Sequence, residues 1–406
     1  GADAVAAGAL GRIAIGGTIT RMAVRNSLRR RARLGLTLGM LALGGALFLA
    51  ALDLATAWTR ETDEVTTTRH YAVELRVDRA APTALAAALA RVPGVRAAEA
   101  WGTSPAALVK AGQLDIVRTY PDGGHGSLRI LGVPARTAMV SFPLLAGRWL
   151  APDDTDGVVI NHMMAAQAPD LAVGGTLTLA LEGVPTTWRV VGVVRDVGSA
   201  ATVYASDGAL ARALGAPDTA RLFRVSMTTD DPDAQRATAA ALERTLEDAG
   251  YAVDVAIPLA ELRTAIGDHM QVLISTLLAM AALMGLVGVL GLASAMSTSV
   301  LERTRELGVM RALGATPWTL ARLIGIEAIV IAVLSWLAAI ALSIPLSAIV
   351  GRVVGTMAFR TPLPLVVRPD AIAGWLAIML GVGLVAAIAP ARRAIRCAIR
   401  EALATV

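Results

Sequence analysis

The chain has 406 residues, of which 55% are hydrophobic and only 17% charged, and its mean hydropathy is +0.61. Soluble domains carry about a quarter charged residues, so this composition excludes an ordinary soluble globule and points to a membrane protein with a large polar portion. The net charge of +5 is almost all arginine, with Lys110 the only lysine, and the arginines gather at the ends of apolar runs. That is a topology signal rather than a nucleic-acid-binding stripe.

Residues 1–33 form a lead-in containing Arg21, Arg25, Arg29, Arg30, Arg31 and Arg33, with no acid from 20 to 33. An uncharged run follows at 34–52, close to the ~20 residues that cross a bilayer, and the arginines set its first end as cytoplasmic. We assign the first span to 34–58. Gly35 and Gly39 make a small-xxx-small pair suited to close helix packing.

Residues 59–267 have ordinary polar patterning and are expected to form an extracytoplasmic domain. Alternation at 71–78 predicts a strand. An alanine-rich helix start is predicted over 82–91, and Pro93-Gly94 marks a turn. Further strands are expected at 128–133, 158–160, 188–194, 221–227 and 251–255. A loop is expected at 121–126 and an amphipathic helix over 230–250, with Ala239, Leu242, Leu246 and Ala249 on one face. The helices are too few to cover both faces of a sheet, so an α+β domain with helices on one side is expected. Acidic clusters at Asp153, Asp154 and Asp156 and at Asp230, Asp231 and Asp233 lack the glycine-containing calcium loop, and we read them as solvated turns and helix starts.

The second span, 268–300, is uncharged from 271 to 300. Thirty residues make about 45 Å of helix, longer than a ~30 Å hydrocarbon core, so a stalk should project outward. Gly285, Gly288 and Gly291 form a small-residue stripe.

Residues 301–322 are a charged island before the next apolar run. A connector of this kind belongs at a membrane surface, because a charge in hydrocarbon costs several kcal/mol. Glu302 and Glu306 are like charges at i,i+4, offset by Arg303 and Arg305. Gly314 is placed to end a short helix, and Thr316-Pro317 to cap and begin the next. The ordered run Glu302-Arg303-Thr-Arg305-Glu306-Leu-Gly308-Val-Met-Arg311-Ala-Leu-Gly314-Ala315, followed by Glu327, resembles the cytoplasmic loop of the FtsX-like, MacB-type ABC transporter permeases. The resemblance implies that this loop is a coupling helix seated on an ATPase, which makes Glu302, Arg303, Arg305, Glu306, Gly308, Arg311, Gly314 and Ala315 the expected coupling residues. In the outer domain, Gly147-Arg148, the acids after it, the 158–160 strand, Val173-Gly174 and the strand through Gly192 resemble the same family's periplasmic core domain over about 50 residues.

The third span is assigned to 323–350. Glu327 lies in its first turns, with Arg322 or Arg311 as the expected partner, and Pro345 should kink its outer end. An outer loop, 351–370, precedes a fourth span at 371–390 that Asp370 can cap. The arginine-rich tail, 391–406, also resembles the family's ending. Both termini are expected to be cytoplasmic. Gly1 stands where an initiator methionine would be. Together with the run from Arg21 to Arg30, which resembles the opening of a second permease half, it suggests that the sequence begins in mid-protein; a processed or truncated single-half permease is the alternative.

Several chemistries have no motif in the sequence. There is no phosphate-cradling Gly-x-x-x-x-Gly-Lys-Ser/Thr loop and no Gly-x-Ser-x-Gly elbow. His70, His125, His162 and His269 are dispersed, so no metal site is expected, and the single Cys397 offers no disulfide. Almost no ionisable side chain interrupts the spans, which argues against a polar solute pathway.

The fold class expected is an α-helical membrane protein with four transmembrane helices and an α+β extracytoplasmic domain, MacB-like by resemblance, inserted between helices 1 and 2. The function the resemblance implies is that of a mechanotransmission permease in a bacterial inner membrane. ATP and Mg would reside on a partner ATPase dimer and no cofactor in this chain. A second permease half or subunit, membrane lipid, and an extracytoplasmic protein or lipidated substrate would be the other partners. A membrane-anchored receptor signalling to a cytoplasmic partner is the alternative, and a structural scaffold a third. The permease and the receptor separate on whether ATP turnover in a partner depends on Glu302, Glu306 and Arg311, and the scaffold on whether a bulky residue at Gly308 or Gly314 uncouples that turnover.

Overall fold

The computed structural model describes residues 31–110, 128–134 and 136–396. The arginines up to Arg30, the 121–126 loop with His125, Cys397 and Arg400 lie outside the described residues, as do the side chains of Arg31, Arg33 and His269. In chain order the elements are α1 (Arg31–Thr68), β1 (Val73–Pro82), α2 (Leu85–Leu89), β2 (Val95–Leu108), β3 (Leu128–Val133), β4 (Leu144–Gly147), β5 (Gly157–Asn161), α3 (His162–Gln167), β6 (Thr176–Leu181), β7 (Val184–Val194), β8 (Ala201–Ser206), α4 (Asp207–Leu214), β9 (Thr219–Met227), α5 (Pro232–Asp248), β10 (Val253–Pro258), α6 (Leu259–Glu302), α7 (Thr304–Ala312), α8 (Pro317–Phe359) and α9 (Pro369–Arg396). The chain divides into two compact units. The described parts of the helical unit are 31–57, Gln271–Arg352 and 364–396; the α/β unit is Trp58–Met270 with Val353–Leu363.

Among the described residues, α1, α6, α8 and α9 are long and apolar enough to cross a membrane. Their interior joins Leu41 and Leu49 of α1, Leu292 and Met296 of α6, Leu323 and Ala328 of α8, and Trp375 and Met379 of α9. Small residues let the backbones approach. A Cβ on Gly288 would lie 2.6 Å from Leu41 Cδ2. One on Gly45 would fall onto Trp375 Nε1 and within 2.7 Å of Ala339 Cβ. Gly44 lies beside the Gly285 backbone, and Gly291 faces Thr37 Oγ1 at 3.9 Å. No described atom comes within 4 Å of a Cβ built on Gly35 or Gly39; α1 meets other described helices closely at Gly44 and Gly45.

The helices outrun several sequence boundaries. α1 continues to Thr68, and α8 runs through Pro345 to Phe359, where an outer loop was expected from 351. α9 passes through Pro390 to Arg396. Proline inside a membrane helix is tolerated because neighbouring groups re-satisfy the freed backbone. Asp370 is not the cap of α9: it sits in the first turn, and the Ile372 amide bonds to the Arg368 carbonyl. Between the helices, Asp53 is buried and accepts from Ser347 Oγ at 3.0 Å, an ionisable group drawn inside the bundle.

The α/β unit is built on one sheet in the order β10-β1-β9-β2-β3-β8-β5-β7-β4, with β6 pairing β2 and β7. Most pairs are antiparallel; β3–β8 and β5–β7 are parallel. Alternation sorts the side chains by face. Phe223 and Val225 of β9 pack with Leu242 and Leu246 of α5, and Ile130, Ile160 and Val203 pack with Met164 and Leu210 of α3 and α4. Leu222, Trp101, Leu131, Val159 and Tyr204 form a separate cluster on the opposite face. The helices therefore cover one side of the sheet. Strand β1 runs to Pro82, so the helix expected from 82 is only the short α2.

Candidate functional site

The charged island folds as two helical segments around a tight turn. α6 ends at Glu302, Arg303 breaks the run at φ −110°, and α7 begins at Thr304. The C-terminus of α7 is closed by a Schellman pair: the Ala315 amide bonds to the Met310 carbonyl at 2.9 Å and the Gly314 amide to the Arg311 carbonyl at 3.0 Å. Gly314 holds φ +95°, a conformation that glycine adopts without the Cβ penalty. Thr316 then caps α8, its Oγ1 accepting from the Thr319 amide at 3.3 Å, and Pro317 opens the helix where its missing N–H costs nothing.

One guanidinium organises the loop. Arg303 Nη1 donates to Glu327 Oε1 at 2.8 Å, and its Nε donates to Glu306 Oε2 at 3.1 Å. Glu327 is buried and forms an ion pair with Arg303, where Arg322 or Arg311 was expected. Arg322 is five residues before Glu327, more than one helical turn, whereas Arg303 enters from the preceding segment. Arg311 Nη1 reaches the Ile395 carbonyl at 3.1 Å and ties α7 to the end of α9. Leu307 is buried against the helical core, with Gly308 buried beside it. Glu302, Arg305, Glu306 and Gly314 are exposed and Ala315 is half-buried. Leu313 and Trp318 are 83% and 75% exposed, an apolar pair that the charge pattern did not single out. Such a surface has no acid–base constellation. It is a preorganised, mixed-charge face that can bear on another protein.

The second motif region explains its own spacing. Gly147 and Gly192 face each other so closely that a Cβ on Gly147 would strike the Val191 carbonyl and one on Gly192 the Arg148 carbonyl. Asp154 is buried and takes a two-pronged ion pair from Arg148 at 2.7 Å on each oxygen, plus the Ala151 amide. It is therefore not a solvated turn residue. The Arg148 guanidinium, ahead of an opposing effect of burial, holds its carboxyl below the usual range. Asp156 pairs with Arg189, and Asp231 is the N-cap of α5. Among the described residues no His, Cys, Asp and Glu group has the makings of a metal site.

Other charges fasten the α/β unit to its helical ends. Arg195 pairs with Glu61 and Glu64 of α1, and Arg69 pairs with Asp196, which also accepts from Tyr204 Oη at 2.6 Å. His162 is buried. Its Nδ1 accepts from the Asp196 amide at 3.3 Å and its Nε2 donates to the Phe359 carbonyl at 3.1 Å. Burial, against the pull of Asp196, lowers its pKa from the ordinary value.

The sequence matches the family described as FtsX-like permease C-terminal over residues 278–398 and that described as MacB-like periplasmic core domain over residues 34–245. The chain belongs to the FtsX/MacB-type permeases of ABC transporters: a multi-pass membrane protein with an extracytoplasmic α/β domain. It is similar to the macrolide export ATP-binding/permease protein MacB of Neisseria gonorrhoeae, 29% identical over 135 residues, and to that of Neisseria meningitidis serogroup B, 30% identical over 135 residues. Each alignment covers 33% of this chain and 20% of the relative, so the chain spans about a fifth of the length of the curated relatives it matches. Among solved structures it is similar to the periplasmic region of MacB from Actinobacillus actinomycetemcomitans at 15% identity and TM-score 0.34, covering 51% of this chain and 97% of that one. The extracellular domain of the noncanonic ABC-type transporter YknZ from Gram-positive bacteria gives 15% identity and TM-score 0.32, covering 45% and 98%.

Proposed function

We propose that this chain is the permease half or subunit of a mechanotransmission ABC transporter in a bacterial inner membrane. In this reading ATP and Mg are held by a separate ATPase dimer, and residues 301–322 are the loop that docks on it. The observation that carries the proposal is the placement of Glu302, Arg305 and Glu306 on an exposed face of a loop pinned to α8 by Arg303 and Glu327, inside the segment matching the FtsX-like permease family. ATPase closure would push this loop, and α6, a single helix from Leu259 to Glu302, would carry the motion toward the extracytoplasmic domain. The rest of the arrangement follows: both termini cytoplasmic, spans at 34–58, 268–300, 323–350 and 371–390, and a second permease half beside this one. The purpose would be export or extraction of a lipid, lipoprotein, peptide or drug, or control of a cell-envelope process. Export by the Neisseria relatives named for macrolides is consistent with this class.

The test is purification of the intact protein from its native membrane, followed by identification of bound proteins and an ATPase assay. A stoichiometric nucleotide-binding subunit is expected, lost with Glu302→Lys and Glu306→Lys. Recovery without any ATPase, under conditions that preserve membrane complexes, would favour a receptor instead.

A further inference from the structure

The sheet face away from the helices holds a charge cluster that ATPase coupling leaves unused. Glu74 of β1 accepts from Arg224 of β9 through Nε at 3.2 Å and Nη2 at 3.0 Å. Arg76 Nε lies 3.4 Å from the other carboxylate oxygen, and Arg129 Nη1 of β3 lies 4.0 Å from it. Three guanidinium charges thus share one directly paired carboxylate in a largely buried place, and cations outnumber the acids around them. Such an excess is costly without an anion.

The neighbouring acids are committed elsewhere. Glu99 accepts from Trp101 Nε1, Thr137 Oγ1 and the Ala138 amide, and Asp196 serves Arg69 and Tyr204. Arg224 is 3% exposed, with the Tyr71 and Trp101 ring centroids 4.5 Å and 4.1 Å from its Cζ. Rings lie against the faces of a planar guanidinium, whereas its N–H bonds radiate in the plane, so stacking leaves edge donors unanswered. Among the described residues, Arg224 Nη1 and Arg129 Nε are buried with no hydrogen-bond partner, and buried Arg76 Nε has only the long 3.4 Å ion pair to Glu74. Buried N–H groups of ions are rarely left so, because the cost of desolvating them then goes uncompensated. The side chains of Arg76 and Arg129 retain 22% and 19% exposure, which leaves the cluster open to a small solute.

We propose that Arg76, Arg129 and Arg224, beside Glu74, form a binding site for one small oxyanion. The fork of a guanidinium matches two oxygens of a carboxylate or a phosphate, and both groups share that chemistry. Arg224 is the fixed floor of the site, and Arg76 and Arg129 are its movable arms.

The experiment is equilibrium dialysis of the full chain in detergent, at constant chloride, against labelled inorganic phosphate and separately against labelled acetate. One saturable site per chain is expected. Arg129→Gln and Arg76→Gln should each weaken it about tenfold or more, the loss of one charge-assisted contact. Arg91→Gln, an exposed arginine outside the cluster, should bind as the native chain does. Uptake of phosphate alone, or of acetate alone, supports the site and assigns its source. No saturable uptake of either anion, or equal uptake by Arg129→Gln and Arg76→Gln, overturns the proposal.

Discussion

Arg303 Nη1 lies 2.8 Å from Glu327 Oε1, so one ion pair joins the start of α7 to a buried turn of α8. The carboxylate is buried, and Arg303→Gln would remove the cation of its 2.8 Å ion pair. Breaking a buried pair from one side costs about 3–5 kcal/mol, whereas an exposed pair is worth at most about 1 kcal/mol. Arg303→Gln is therefore expected to disorder the loop and reduce partner-dependent ATP turnover by about tenfold or more, while Arg305→Gln, on the exposed face, leaves the fold intact. Turnover measured on the purified complex checks this; a normal rate in Arg303→Gln would show that the pair has no part in coupling.

Gly314 turns the chain at φ +95°. A side chain with a branched Cβ is strained there by about 1–3 kcal/mol. Gly314→Val, and replacement of buried Gly308 by leucine, should uncouple ATPase activity without loss of assembly. Copurification and turnover are read from the same preparation; variants that assemble and transport normally would refute the coupling role of the loop.

The helix crossings make a sharper comparison. Gly45→Val would drive a Cβ into Trp375 and Ala339, while Gly35→Val meets nothing described within 4 Å. Overpacking costs about 1–3 kcal/mol and an open surface position within ~0.5 kcal/mol. Thermal unfolding in detergent should separate the two variants by several degrees, Gly45→Val the lower.

Acid should loosen the extracytoplasmic domain through Glu74. Burial alone would raise its carboxyl, but Arg224, then Arg129 and Arg76, override that and hold it at about 2 instead of the ordinary 4.5. The unfolded chain therefore binds the proton first. Stability present above about pH 4.5 is lost as pH falls toward 2, on the order of 3 kcal/mol for this group. Limited proteolysis of the full chain across that interval reads the loss, and Glu74→Gln should flatten it.

His162 gives a second dependence at higher pH. Its folded pKa is lowered, chiefly by burial, so the unfolded chain again binds the proton first and stability falls as pH drops below the ordinary 6.5. Protonation would also set an N–H on Nδ1 against the Asp196 amide. Denaturation midpoints at pH 7.5 and 5.5 should differ for the native chain and converge in His162→Gln.

What the sequence determined by itself was whatever depends on neighbours along the chain. Hydropathy located the four apolar helices, apolar–polar alternation at 71–78 located the first strand, and capping chemistry located Gly314 and Thr316-Pro317. These are local effects, complete within a turn or a pleat, and the ordered loop motif added the family. The tertiary structure decided everything that depends on which faces meet. Arg303 pairs with Glu327; Gly45 and Gly288 admit neighbouring helices of this chain; α8 runs on to Phe359. Glu74 and Arg224, 150 residues apart, meet because two strands pair in register, and no local pattern encodes that contact. A charged residue inside an apolar strand, as in Leu222-Phe223-Arg224-Val225, was the one visible sign that a partner had to exist, because a buried charge left alone is too costly to keep.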